Sequence, residues 1–175
     1  MRQEDSQSNS LLPRGCGCLL LLMCIGVIGA MIALPSFLTM AMKAKQSEGK
    51  QYISSMNKGQ QAYYAEKGNL ATSVDALKIG RKTETINYKY SLRATKTGSF
   101  HYALAKGGML KNYVGAVFLV PDYPNAPKDA MTTTSILCET EERPLFRFKP
   151  ADKPAEPTYQ NGEVICGKGT TAVTK

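Results

Sequence analysis

Residues 16–42 read CGCLLLLMCIGVIGAMIALPSFLTMAM and run directly into residues 43–67, KAKQSEGKQYISSMNKGQQAYYAEK. The first stretch holds no Asp, Glu, Lys, Arg or His over 27 residues. As a helix it is roughly 40 Å long, against ~30 Å for the hydrocarbon core of a bilayer. The second stretch has no proline and is rich in Ala, Lys, Gln and Glu, which are good helix formers. Its Tyr52, Met56, Gly59 and Tyr63 fall at spacings of four, three and four, flanked by Ile53 and Gln60. That is an apolar stripe on one helix face, with Lys43, Glu48, Lys50 and Lys58 largely elsewhere. Gly68 is a natural stop. Together the two stretches predict one helix from about Gly17 to Lys67, kinked where Pro35 removes a backbone hydrogen bond. The first half suits lipid, and the second must bury its stripe on the remainder of the chain.

That remainder reads as strands. Asn87–Thr95 alternates, with Tyr88, Tyr90 and Leu92 on one face and Lys89, Ser91 and Arg93 on the other. Lys96–Thr97–Gly98 is a turn, and Ser99–Lys106 alternates again through Phe100, Tyr102 and Leu104, so the pair predicts a hairpin. Lys106–Gly107–Gly108 opens the next turn. Tyr113–Val120 is a more buried strand halted by Pro121, and Thr133–Cys138 a fourth. Pro150, Pro154 and Pro157 mark an extended loop, and Glu163–Cys166 a short last strand. The expected fold class is α+β: one long N-terminal helix on an antiparallel sheet of about four strands. The expected divisions are a polar tail or leader (1–15), the membrane half of the helix (16–42) and a soluble domain (43–175). Within that domain the helix covers 43–67, the sheet 87–140 and a C-terminal loop 141–175.

The 175 residues are 43% apolar and carry a formal net charge of +8. Residues 1–42 sum to zero, so the whole excess lies beyond the apolar run. Such a surface can favour nucleic acid, anionic headgroups or acidic polysaccharide, but no run of five basic residues appears and a plain solvated surface is the simpler reading. Cys16, Cys18 and Cys24 lie in the apolar run, where cysteine is a small apolar filler. Cys138 and Cys166 lie in the soluble part, 28 residues apart. They suit one structural disulfide outside the cytoplasm, the alternative being two buried thiols. The bridge would close the proline-rich loop and contribute roughly 3 kcal/mol by loop entropy.

The apolar run is about twice the length of a signal-peptide core and ends without an Ala-x-Ala step, and the polar residues 1–14 exclude a lipoprotein leader. A retained single-span anchor is the expectation. Gly26, Ala30 and Ala33 at helical spacing could allow close helix contact. Lys43, Lys45 and Lys50 after the run slightly favour a cytoplasmic domain by charge, while the cysteine pair favours the outside.

A helix that is half anchor and half domain core, then an antiparallel sheet and a late cysteine loop, resembles the plan of type IV pilins and pseudopilins. Ile32–Leu38, with its proline after the apolar half, is similar to the corresponding pilin stretch. Lys43–Ser47, Gln60–Tyr64, Gly68–Leu77, Tyr113–Phe118 and the Cys138 strand resemble the cyanobacterial pilin-like group labelled G/H, over about residues 30–140. The resemblance implies a structural or assembly subunit of a pilus or secretion (pseudopilus) system. Its implied partners are membrane lipid and other pilins or assembly proteins, with the N-terminus cytoplasmic and the domain extracytoplasmic. One departure stands out. Prepilins have a leader ending in Gly and a glutamate five residues into the mature chain. Here Gly15–Cys16 could serve as the cleavage position, which puts Leu20 in the glutamate's place; counting back from Pro35 puts Cys18 there. Neither register has a carboxylate, so a subunit that does not polymerise alone is expected.

Catalysis is not expected. The only histidine, His101, is predicted to point to solvent, and no nucleophile motif surrounds any serine. Glu139, Glu141 and Glu142 lack calcium-loop spacing and read as a solvated turn. Tyr88, Tyr90, Phe100 and Tyr102 could stack bases or sugars, but at strand spacing they read as core against the helix. No metal, cofactor or small-molecule substrate is expected. The alternative function is a monomeric membrane-tethered module whose basic surface binds DNA or acidic polysaccharide.

Overall fold

The computed structural model describes residues 14–80, 82–107, 109–122, 130–141 and 153–173; within its helix the side chains of 14–20 and 30–36 also lie outside the description. The chain divides into two compact units, Met1–Ala41 and Met42–Lys175. Helix α1 is Arg14–Lys67. It ends where Gly68 takes φ +69° and its N–H bonds the Tyr64 carbonyl at 2.8 Å, a left-handed C-terminal cap. The Pro35 kink and the Gly15–Cys16 cleavage position fall on side chains outside the description. Among the described residues no helix is long and apolar enough to cross a membrane. Only positions 21–29 and 37–42 of the apolar run have described side chains, so much of the reach a span needs lies outside them.

The second unit is α+β. Strands β1 (Tyr88–Ala94), β2 (Gly98–Ala105), β3 (Tyr113–Pro121) and β4 (Met131–Thr140) form an antiparallel meander. Two strands, β5 (Thr158–Gln160) and β6 (Glu163–Ile165), make a separate hairpin, and β7 (Thr170–Ala172) returns to pair with β4. The main sheet therefore has five strands in the order β1-β2-β3-β4-β7. Three expectations are corrected here: among the described residues the main sheet has five strands, not about four; Glu163–Ile165 is not the last strand, since β7 follows it; and the expected extended loop before it carries β5. The hairpin turns on Asn161–Gly162, at φ 53° and 87°. Both positive angles suit the tight turn that matches strand twist, and Asn-Gly is its commonest sequence.

Cross-strand partners place side chains on the two faces. Tyr88, Tyr90 and Leu92 lie opposite Ala105, Ala103 and His101, and on the next strand Tyr113 and Gly115 lie opposite Ala103 and His101. This face receives α1. Tyr52, Ile53 and Met56 are buried in one cluster with Tyr88, Tyr90, Ala103 and Tyr113. The Tyr52 and Tyr90 rings stack with centroids 3.6 Å apart. The segment after the helix, with a short 3-10 turn at Asp75–Leu77, adds Ala71, Val74 and Leu77 to the same core.

The opposite face carries Phe100, Tyr102, Val114, Phe118 and Cys138, covered by Val164 and Cys166. Phe100 and Tyr102 therefore do not pack on the helix, contrary to the sequence reading. The hairpin register is the reason. The alternating apolar residues of β1 sit opposite the other phase of β2, so the two patterns face opposite ways. Both faces of β2 are covered, and seven of its eight residues are buried. Cys138 and Cys166 are joined in a disulfide, Cα atoms 5.9 Å apart. It ties the C-terminal segment across this second face. Glu156 adds to the tie by accepting from Arg93 and from the Tyr102 hydroxyl, and Pro154 and Pro157 are buried beneath it.

Two glycines set how closely helix and sheet approach. A Cβ at Gly115 would stand 2.3 Å from Asn57 Oδ1 and 2.5 Å from Ile53 Cγ2; one at Gly49 would stand 2.8 Å from Tyr88 Cζ. Gly115→Ala would force α1 off the sheet, because overpacking costs roughly 1–3 kcal/mol even at softer sites. We expect about 3 kcal/mol of lost stability, read by near-ultraviolet dichroism melts of the full chain in detergent. An unchanged melting temperature would refute the close approach.

Candidate functional site

The feature that the sequence did not announce is a polar line through the helix–sheet interface. Asn57 comes from α1 at the position that the missing Gly115 side chain leaves open. Its Nδ2 donates to the Ile136 carbonyl at 2.9 Å. Its Oδ1 lies 2.7 Å from His101 Nδ1, and His101 Nε2 lies 3.1 Å from Ser99 Oγ. Since Asn57 Nδ2 is committed to a carbonyl, its Oδ1 accepts, so His101 carries its proton on Nδ1 and accepts from the Ser99 hydroxyl at Nε2. Ser99 and His101 are fully buried and Asn57 nearly so. The predicted solvated His101 is thus corrected. It is a core residue, 0% exposed, because the face it points to is the one α1 covers.

The composition superficially matches a hydrolase set, a serine, a histidine and an asparagine in hydrogen-bonding sequence. A hydrolase set must present its oxygen to a substrate, whereas here the Ser99 hydroxyl and His101 are fully buried. Burial pushes the His101 imidazole down to about 3, so it is neutral across the physiological range. The line serves packing: it satisfies a backbone carbonyl of β4 and fixes helix to sheet in one register. Asn112, also fully buried, does similar work at the β2–β3 connection, where its Oδ1 accepts from the Ala105 N–H at 2.8 Å.

Beside this line α1 and β4 diverge into a surface groove of about 620 Å³. Its helix wall carries Ser47, Lys50, Gln51, Ser54 and Lys58, and its floor Ser135 and Leu137. Gln61 spans it to the Thr133 carbonyl at 3.4 Å. Of the acidic cluster, Glu139 is paired with Lys111 at 2.7 Å and Glu142 lies outside the described residues. Among the described residues no group of three His, Cys, Asp or Glu side chains could hold a metal ion.

The His101 environment makes stability fall with acid. The folded state resists protonation until about 3, whereas an unfolded imidazole takes a proton near 6.5. Below about pH 6.5 the unfolded chain binds the extra proton, so stability is lost as pH falls through that window, by roughly 2 kcal/mol between pH 7 and pH 5. In His101→Gln this component of the slope should vanish, measured as the difference in urea midpoints at the two pH values. An identical slope in the variant would count against a neutral, sealed histidine.

The chain's similarity to other proteins agrees with this architecture. No curated protein and no solved structure matches it. The sequence pattern of the family described as Type IV pilin-like G and H matches residues 46–167. That range begins on the helix stripe, takes in the glycine–asparagine contact and both core faces, and ends just past Cys166. The chain belongs to the type IV pilin-like G and H family.

Proposed function

We propose that the protein is a single-span membrane-anchored pilin-like subunit, a structural or assembly component of a pilus or secretion system, with its domain outside the cytoplasm. One observation carries the reading: a pilin-like domain whose own core helix is continuous in sequence with 27 uncharged residues. The described side chains of that run support it, since Leu21, Leu22, Ile25, Ile28, Phe37 and Leu38 are all exposed. The Cys138–Cys166 bridge supports an oxidising compartment for the domain. Alkylation of the native protein without reductant should leave both cysteines unlabelled; full labelling of both would place the domain in a reducing compartment.

Self-assembly is disfavoured by the same residues. A filament core of this type would bring the mature N-terminal amine into low dielectric, where an unpaired charge costs several kcal/mol. Leu20 or Cys18 stands where a carboxylate would offset it. If Gly15–Cys16 is not cleaved, the charged residues of 1–14 must enter the core instead, at greater cost. The chain therefore stays anchored unless a partner pilin supplies the contact. N-terminal mass spectrometry of protein from its own cells reports the cleavage. Fibres should be absent when the chain is overexpressed without other pilins and should appear with Leu20→Glu or Cys18→Glu; fibres of the unaltered chain alone would overturn the reading.

The second reading, a tethered module binding DNA or acidic polysaccharide, draws on Lys50 and Lys58 in the α1–β4 groove, where no acidic side chain contributes to the wall. Shearing separates the two. A subunit is recovered with partner-containing surface fibres, and a tethered module stays with membranes. Neither reading includes catalysis.

A further inference from the structure

At the end of the domain where its chain begins, two loops leave large apolar side chains in the open. Ile86 is 92% exposed and Met109 51%. With Met42, Lys45 and Lys106 they border one shallow depression of about 390 Å³. Beyond Met42, the other exposed large apolar side chains among the described residues are Tyr159 and Ile165 of the separate β5–β6 hairpin. Asn87, next to Ile86, is pinned by a 2.7 Å bond to Glu48, which holds the first loop in place with its isoleucine outward.

The charges around the depression are unequal. Lys106 pairs with Glu84, and Glu48 accepts from Asn87 and from the Tyr90 hydroxyl. Lys43 and Lys45 are exposed on the first turns of the domain's helix. Apolar tips rimmed by lysines suit a lipid–water interface, where the tips enter the acyl boundary and the ammonium groups lie among phosphates. A protein partner would need only the apolar tips; a bilayer also explains why they surround Met42. With residues 16–42 in the bilayer, Met42 stands at its surface, and whatever borders Met42 meets headgroups.

We infer that this end of the domain seats on the anionic lipid surface, with Ile86 and Met109 inserted and Lys43 and Lys45 on the headgroups. The inference rests on the anchored reading above.

The chain has no tryptophan, so Ile86→Trp introduces a lone fluorophore at an exposed position. The full chain carrying it is reconstituted in phosphatidylglycerol and in phosphatidylcholine vesicles, with bromine-labelled lipid as quencher. Thr72→Trp, beyond the other end of the helix, is the control, and Met109→Trp is a second reporter should the first variant misfold. In phosphatidylglycerol the Ile86→Trp emission should shift to the blue and lose roughly half its intensity to brominated lipid, as expected for interfacial depth. Both effects should weaken in phosphatidylcholine and with Lys43→Glu plus Lys45→Glu, and the control should show neither. Red, unquenched emission from a chain that resists alkaline carbonate extraction would overturn the seating and leave the anchor intact. Extraction of the chain by carbonate would overturn the anchor and the seating together. Blue but unquenched emission would mean that protein, such as a second copy of the chain, covers the base, and would also overturn the inference.

Discussion

The close approach of α1 to β3 at Gly115 is the constraint around which the domain is organised. Ile53 and Asn57 sit where a side chain on β3 would be, so the helix backbone comes nearer to the sheet than ordinary side chains allow. Nearness has a consequence. It brings an asparagine amide against the β4 backbone and a histidine on β2, and each of these groups then needs a partner, since burying a polar group without one costs roughly 1–3 kcal/mol. The Ser99–His101–Asn57–Ile136 line meets that need, with Ser99 and His101 fully buried and Asn57 nearly so. Hydrogen bonds are directional where apolar contacts are not, so this line specifies a single helix register on a surface of tyrosines that would accept several.

The second face of the sheet solves a different problem. β2 has no solvated face, because α1 covers the side that carries Ser99 and His101 and the C-terminal segment closes over Phe100, Tyr102 and Phe118. That segment is poor in regular structure and cannot hold itself down by a helix or a long strand. It is held instead at separated points: the disulfide to β4, Glu156 on Arg93 and Tyr102, and three residues of β7 on β4. Gly167 also lies against Ala155 so closely that a Cβ there would meet its backbone at 2.6 Å. Residues far apart in this segment are thus packed on one another and on the sheet.

How much of this is legible from residues alone depends on which signals are local. The stripe of Tyr52, Met56, Gly59 and Tyr63, the Gly68 stop and the β1–β2 hairpin are carried by spacing within a few residues, and all stand where spacing puts them. The cysteine pair is legible from number and position. What fails is anything that depends on which face a second layer covers. Alternation in β2 is visible, but assigning Phe100 to the helix and His101 to water assumes that a histidine marks the wet face. The register Leu92 to His101 decides otherwise, and register is set by the turn, not by hydropathy. Gly115 carries a usable hint, since a glycine within a buried strand signals close backbone approach. Asn161–Gly162 carries another, and points to a hairpin in place of an extended loop.

The compactness of residues 42–175 bears on why the N-terminal half can depart from the pilin pattern. The domain's core lies on both faces of its own sheet, and its polar line closes entirely within the chain. Among the described residues the clusters on both faces are built from residues beyond Met42. A span needs only apolar length, whereas a filament core also needs a charge-compensating carboxylate. Replacing that carboxylate by Leu20 or Cys18 removes the second property and leaves the first untouched. On the proposed reading the pilin-like domain is kept whole on a helix suited to lipid but not to packing around its own copies, and such a subunit would act through contact with other proteins.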